Sequence, residues 1–443
     1  MAVVYLLLSV VLIIVLTARL RVHPFIALLL VAFGYGFLVG MPLDLIVASV
    51  NEGFGSTLGK IGLIIVLGSI IGTFLENSGG AYAIAEKMLR IFGRKRVPTV
   101  MGIVGYFVSI PVFADSGFLL LSPLNRSLSK KAGISLTGSA VALSLGLMAT
   151  HTMVPPTPGP IAAAGILNAD LGLVVLLGLI VSALALVVGL LFANKYAAKT
   201  YIDPNPEITD SEIEARLHAA PSVFRSALPV VVPIALIVLK SLVGTADGAN
   251  SSVAIPLISF LGEPVVALLI GAFLGLLLPK KLDRKMLSSE GWIGRALQDT
   301  ASIILITGAG GIFGKVLQNS GIAELLGKSL ADINLSLWLP FLLAAAIKTA
   351  QGSSTVALIT AASIMTPMMG ALGFVGEIEK AMVVIAIGAG SAVFSHANDS
   401  FFWVVTQLSG IDVKTGYRVY SLGSFILGTS AALFLFIGYL IAF

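Results

Sequence analysis

The stretch HTMVPPTPGP, His151 to Pro160, interrupts a chain that is otherwise almost continuously apolar. Its four prolines, Pro155, Pro156, Pro158 and Pro160, forbid an unbroken α-helix, because each lacks a backbone donor and clashes with the turn before it. Inside a bilayer such a break strands amides and carbonyls. That is tolerated only where the break is buried in protein or lines a wet cavity. The stretch therefore reads as half of a solute-binding site within a membrane.

The composition agrees with that setting. Of 443 residues, 57% are hydrophobic and 11% charged, against about a quarter charged in soluble domains, so a polytopic membrane protein is expected. The net charge of +5 comes from short basic clusters between apolar runs, the pattern of cytoplasmic loops and not of a nucleic-acid surface. The absence of cysteine excludes disulfides and thiol chemistry. There is no HExxH pattern, no third ligand at metal spacing to His151 or His396, and no P-loop, GxGxxG or GxSxG motif in a strand–helix context. No metal, cofactor, nucleotide drive or enzymatic activity is expected. Ala2–Leu16 lacks a basic n-region and reads as a retained transmembrane helix.

The break has a counterpart. Leu75–Gly79 (LENSG) recurs as Leu317–Gly321 (LQNSG), the segment around Asp115 as that around Gln351, and His151 as His396. Each recurrence lies roughly 240 residues on, the internal symmetry common in secondary transporters. The predicted fold is all-α, a polytopic membrane protein of two repeats, each with a re-entrant hairpin and a broken helix. The first repeat covers 1–193, with scaffold spans within 3–77 (3–17, 24–40 and 61–77), an amphipathic piece at 81–96, a hairpin at 97–128, a broken helix at 134–167 and a span at 171–193. A polar cytoplasmic linker follows at 194–225. The second repeat covers 226–443, with scaffold spans within 227–318 (227–243, 253–278 and 302–318), an amphipathic piece at 321–332, a hairpin at 335–371, a broken helix at 380–408 and a last span at 419–442.

Basic residues orient these elements. With Arg19 and Arg21 in the cytoplasm, the clusters at Lys87–Arg96, Lys130–Lys131, Lys195–Lys199, Lys280–Lys285 and Lys414–Arg418 all fall inside. Both ends of 97–128 are then cytoplasmic, so it dips in and returns, whereas 335–371 dips from the other face. The repeats are inverted, and both termini are extracytoplasmic.

Few residues can carry chemistry in so apolar a chain. Asp115 and Asp399 are acids deep in apolar sequence, where an ionisable group usually marks a substrate or ion path. His151 and His396 sit at the paired breaks and can carry a proton near neutral pH. These four are the proton-coupling candidates. Lys348 lies beside Gln351, Gly352, Ser353, Ser354 and Thr355, whose hydroxyls and amides suit an anion at a helix N-terminus. Ser116 and Gly117 take the mirrored place. Asn398, Thr152, Thr157 and His151 are candidates for substrate hydroxyls. Glu76 reads as an interfacial acid, and the pairs Gly36–Gly40, Gly68–Gly72 and Gly271–Gly275 as helix packing. The sum fits a small hydroxycarboxylate.

Four blocks carry a family resemblance: THTMVPPTPGP (150–160), FSHAND (394–399), GFLLLSP (117–123) and QGSSTVA (351–357). They resemble the gluconate permease family, and the likeness runs along nearly the whole chain. The resemblance implies a proton-coupled symporter for gluconate or related small hydroxy or amino acids. It implies membership of the ion-transporter superfamily, a homodimer, and a mobile part with two hairpins and two broken helices moving as an elevator in the bacterial inner membrane. Gluconate members carry Glu, Arg and His where this sequence has Asp115, Lys348 and Thr157, so a smaller hydroxy acid fits as well. Sodium coupling and, further off, a passive anion channel are the alternatives; an intramembrane hydrolase is more remote.

Overall fold

The structure, a computed structural model, describes residues 2–92, 96–205, 220–244, 254–321 and 336–442. All the regular elements among them are helices. Five of these helices are long and apolar enough to cross a membrane, and six crossings result when one bent pair counts as a span. Large apolar side chains such as Leu7, Leu63 and Phe273 are exposed, while Ser139, Ser144, Thr150 and Ser363 are buried. A bilayer imposes that inversion, since lipid is as apolar as leucine and backbone or hydroxyl groups must be satisfied inside.

Helices α1 (Ala2–Ile14) and α2 (Pro24–Leu38) open the chain. His23 caps α2 by accepting from the Phe25 amide, and Pro24 takes the first turn, where no donor is missed. Gly40 turns with φ +75° and a Cβ there would meet nothing, whereas a Cβ on Gly36 would come within 3.0 Å of Ile46, so only the first glycine of that pair packs closely.

Helix α3 runs Leu43–Asn77, 35 residues, and not merely 61–77. At 1.5 Å per residue it is about 52 Å long, well beyond the ~30 Å hydrocarbon core. Its first half carries Asp44, Asn51, Glu52 and Lys60, which hide it from an apolar window. The helix persists because part of that face packs on α13 (Trp292–Asn319), itself ten residues longer at its start than 302–318. A Cβ on Gly53 would strike the Gly311 carbonyl, so backbone approaches backbone there. Lys315 pairs with Glu52 at 2.7 Å across the same seam.

Helix α4 (Gly80–Phe92) is amphipathic as expected; Arg94 and Lys95 of that piece lie outside the described residues. Then come α5 (Val97–Val108) and α6 (Ala114–Lys131), joined at Ser109–Phe113. Twelve residues reach only about 18 Å, too short for α5 to cross a ~30 Å hydrocarbon core by itself. Arg126 of α6 donates to the Leu408 carbonyl at 2.6 Å, tying this hairpin to the second broken helix.

The first broken helix is α7 (Leu136–Met153) and α8 (Pro158–Leu167). Ser135 caps α7, and Asn168 ends α8 in the left-handed region at φ 52°. The Pro155–Pro156 bond is cis. Helix α9 (Leu171–Lys195) begins on Asp170, which accepts from the Leu173 amide at 2.8 Å and the Ser241 hydroxyl at 2.6 Å. Of the linker, Glu207, Asp210, Glu212, Glu214 and Arg216 lie outside the described residues.

Helix α10 (Val223–Gly244) follows. The span expected at 253–278 is instead two helices, α11 (Ala254–Leu261) and α12 (Pro264–Gly275), bent by 65°. Pro264 cannot continue the preceding helix, and Glu263 pairs with Lys240 at the bend. After α13, the amphipathic piece at 321–332 falls almost wholly outside the described residues. Helices α14 (Trp338–Gln351) and α15 (Ser354–Met365) form the second short pair, turning at Gly352, φ +93°. A Cβ there would strike the Asn398 carbonyl, so glycine is required twice over. The second broken helix is α16 (Glu377–Ser391) and α17 (Ser400–Ser409), and the chain closes with α18 (Val413–Ala442), which contains a π-turn at Tyr417–Ser421.

Candidate functional site

The two breaks and the two hairpin turns meet. Between them lies a cavity of about 260 Å³ lined by Asp115, His151, Gln351–Thr355, Asn398 and Asp399, together with Ala114, Met148, Ser400 and Phe401. Three helices start at this cavity: α6 with Ala114 and Asp115 in its first turn, α15 with Ser354 and Thr355, and α17 with Ser400 and Phe401. The first amides of a helix have no intrahelical acceptor and carry about half a positive charge. Three such ends converging on one polar space favour an anion.

Beneath the cavity floor lies an ion pair. Lys348 is completely buried in the last turn of α14. Its ammonium donates to the Gly352 carbonyl and, at 2.7 Å, to Asp399 Oδ2. Ser395 donates to that same oxygen, and Asp399 Oδ1 accepts from the Phe401 amide at 3.1 Å, capping α17. A buried ammonium must be paired, and Asp399 does this with both oxygens engaged. The sequence places Lys348 against the substrate; in this conformation it does not line the cavity. Its charge reaches the cavity through Asp399 and the Gly352 turn.

Asp115 differs. Ser400 donates to its Oδ1 at 3.5 Å, and the described residues give it no ion pair. It is the carboxylate that faces the cavity without a cation. His151 also faces the cavity, beside Phe113, and its Nδ1 is buried without a hydrogen-bond partner.

Other expected residues lie around the cavity without lining it. Thr157 is buried and donates to the His151 carbonyl at 3.0 Å and the Val154 carbonyl at 2.7 Å. Those carbonyls lost their helical donors to the prolines, so this hydroxyl repairs the break instead of meeting a ligand. Thr152 bonds back to the Met148 carbonyl at 3.0 Å, a turn earlier in its own helix. Ser116 and Gly117 do not line the cavity, and Gly117 packs against Leu147. His396 and Asn398 both donate to the Thr349 carbonyl, each at 2.8 Å, bracing α14; of the two only Asn398 lines the cavity. Sequence reasoning missed Met148, Ser395, Ser400, Ala114 and Phe401. Met148 was findable, being about one helical turn from His151 on the same face. Ser395 and Ser400 flank Asp399 at a helix start, where serine commonly serves the cap.

The profile of the GntP family permeases matches residues 1–441. An uncharacterized permease of Haemophilus influenzae is 38% identical over 434 residues, covering 94% of this chain and 88% of that protein. The gluconate permease of Pseudomonas aeruginosa is 35% identical over 430 residues, covering 95% and 94%. The crystal structure of the Alcanivorax borkumensis YdaH transporter, reported for its unusual topology, matches with TM-score 0.66 over 94% of this chain and 98% of that one. At 16% identity it is a likeness of fold alone.

Proposed function

The chain belongs to the GntP permease family, and from that premise we propose that it is a secondary active symporter importing gluconate or a related small hydroxycarboxylate with protons. The observation that carries the proposal is the convergence of three helix N-termini on a polar cavity of about 260 Å³. In this reading the substrate carboxylate rests on the amides opening α15 and α17, with Ser353, Ser354 and Thr355 around it. Gln351, Asn398 and His151 face its hydroxyls. Asp115 receives the coupling proton: a bare carboxylate and a bound anion repel in a low-dielectric site, and a proton between them removes the conflict. The Lys348–Asp399 pair, joined to two turns at once, holds the cavity floor.

The two halves act as inverted repeats in a bacterial inner membrane, with both termini extracytoplasmic. The domain division is that of the repeats, 1–193 and 226–443 about the linker 194–225. Hairpins 97–128 and 335–371 with broken helices 134–167 and 380–408 form the mobile part, and the remaining spans form the scaffold of a homodimer. The first break and the first hairpin turn rest the Pro156 and Pro111 carbonyls on Gly68 and Gly72 of α3, a seam without side chains that supports movement as a body. The test is uptake of labelled gluconate into proteoliposomes. An inward proton gradient is expected to drive accumulation. Uptake that follows a sodium gradient and ignores pH overturns the proton assignment, and the absence of counterflow exchange would make the protein a channel.

A further inference from the structure

A second polar cavity of about 190 Å³ lies away from the central one, where α3 and α13 cross the far end of α8. Lys60 and Glu52 come from one face of α3, Lys315 and Gln318 from one face of α13, and Asn168 from the end of α8. Lys315 pairs with Glu52 at 2.7 Å. Among the described residues Lys60 has only a neutral partner: its ammonium donates to Asn168 Oδ1 at 2.6 Å. The cavity therefore holds two cations and one anion, and its surplus positive charge is uncompensated by any acid among the described residues lining it. Lys60, Glu52, Asn168 and Gln318 are exposed at the mouth of this cavity, so its surplus positive charge is open to anions arriving from solution.

Position strengthens the point. Helix α8 starts at the proline break beside the central cavity and ends at Asn168, about 15 Å away by its ten residues. One short helix thus spans from one polar space to the other. Asn168 ends α8 at φ 52°, and its Oδ1 accepts from the Lys60 ammonium. A carboxamide is a weak partner for an ammonium, and a carboxylate would displace it, since charge-assisted bonds are about twice as strong as neutral ones. Ser56 and Gln318 add a hydroxyl and an amide for substrate hydroxyls.

We propose that this cavity is a second, weaker binding site for small hydroxylated carboxylates, in which Lys60 exchanges Asn168 for the ligand's carboxylate. It rests on the proposed substrate class, and with the proposed orientation it lies on the extracytoplasmic side, where it would concentrate anions before they reach the central site.

The test removes the central site first. In the purified Lys348→Ala/Asp399→Asn chain both buried charges are gone together, which spares the fold an unpaired ion. Gluconate titrated into that protein, followed by saturation-transfer NMR, is expected to bind saturably with a Kd of about 1 mM. Adding Lys60→Gln should weaken binding about tenfold, Lys60→Arg should retain it, and rising salt should weaken it as screening grows. Non-saturable binding to the double variant, or equal binding with and without Lys60, overturns the site. Gluconate titrated into the Lys60→Gln chain, with Lys348 and Asp399 intact, reads the central pocket separately: no binding there, with the Lys60-dependent signal present in the double variant, would sink the central reading and leave this one standing.

Discussion

The two breaks occupy equivalent places in the repeats but are built from opposite materials. The first, Val154–Thr157, is short and apolar; two cis-linked prolines open it, and one hydroxyl, that of Thr157, closes the carbonyls left behind. The second, Ala392–Asp399, is longer and polar, and it is held from outside. Ser424 accepts from the Ser395 amide at 3.1 Å, Ser421 donates to the Ser395 carbonyl, and Lys348 grips Asp399. The histidines follow suit. His151 lines the cavity and keeps a buried Nδ1 without a partner among the described residues, whereas His396 is bound to the Thr349 carbonyl. A repeat in sequence thus preserves the place of a break while its role changes. One break keeps space open, and the other carries charge.

Three sets of substitutions test that division, in decreasing order of effect. Lys348→Ala leaves Asp399 buried and unpaired and is expected to cost about 3–5 kcal/mol of stability and abolish uptake. Asp399→Asn added to it should recover most of the stability but none of the uptake, as thermal unfolding and proteoliposome assays would show. If the single variant is as stable as the parent, the pair does not hold the second break. Thr157→Val removes the side-chain donor to the His151 and Val154 carbonyls and should cost about 1–3 kcal/mol. Substrate affinity in that variant should stay within about threefold, below about 1 kcal/mol; a much larger loss would return Thr157 to the ligand. Last, the histidines should separate: His151→Gln is expected to weaken gluconate binding about tenfold, or about 1.4 kcal/mol, while His396→Gln should lower the unfolding midpoint more than the affinity. Equal effects on affinity would mean that the two breaks serve one purpose after all.

Much of this was legible in the chain. Prolines, glycines and isolated charges mark the breaks and turns by local rules, and the recurrence of LENSG as LQNSG sets the order of elements. Three things were not. The Lys348–Asp399 contact joins residues 51 apart, and no local pattern distinguishes a lysine aimed at a ligand from one aimed at a neighbouring loop. The first half of α3 reads as polar because its charged residues answer partners on α13 and at the end of α8, a tertiary fact. The bend at Pro264 was visible as a proline, but apolar residues on both sides made it look like one span.

The buried ion pair has a further consequence for energy. Lys348 and Asp399 carry no net charge between them, so in the proposed elevator movement they would change depth in the bilayer together without working against the membrane potential, which acts at about 2.3 kcal/mol per charge per 100 mV. In the proposed symport, a monoanion and one proton loaded together would leave the site with the same net charge as when empty. Voltage would then neither drive nor oppose the proposed cycle, and the pH difference alone would govern accumulation.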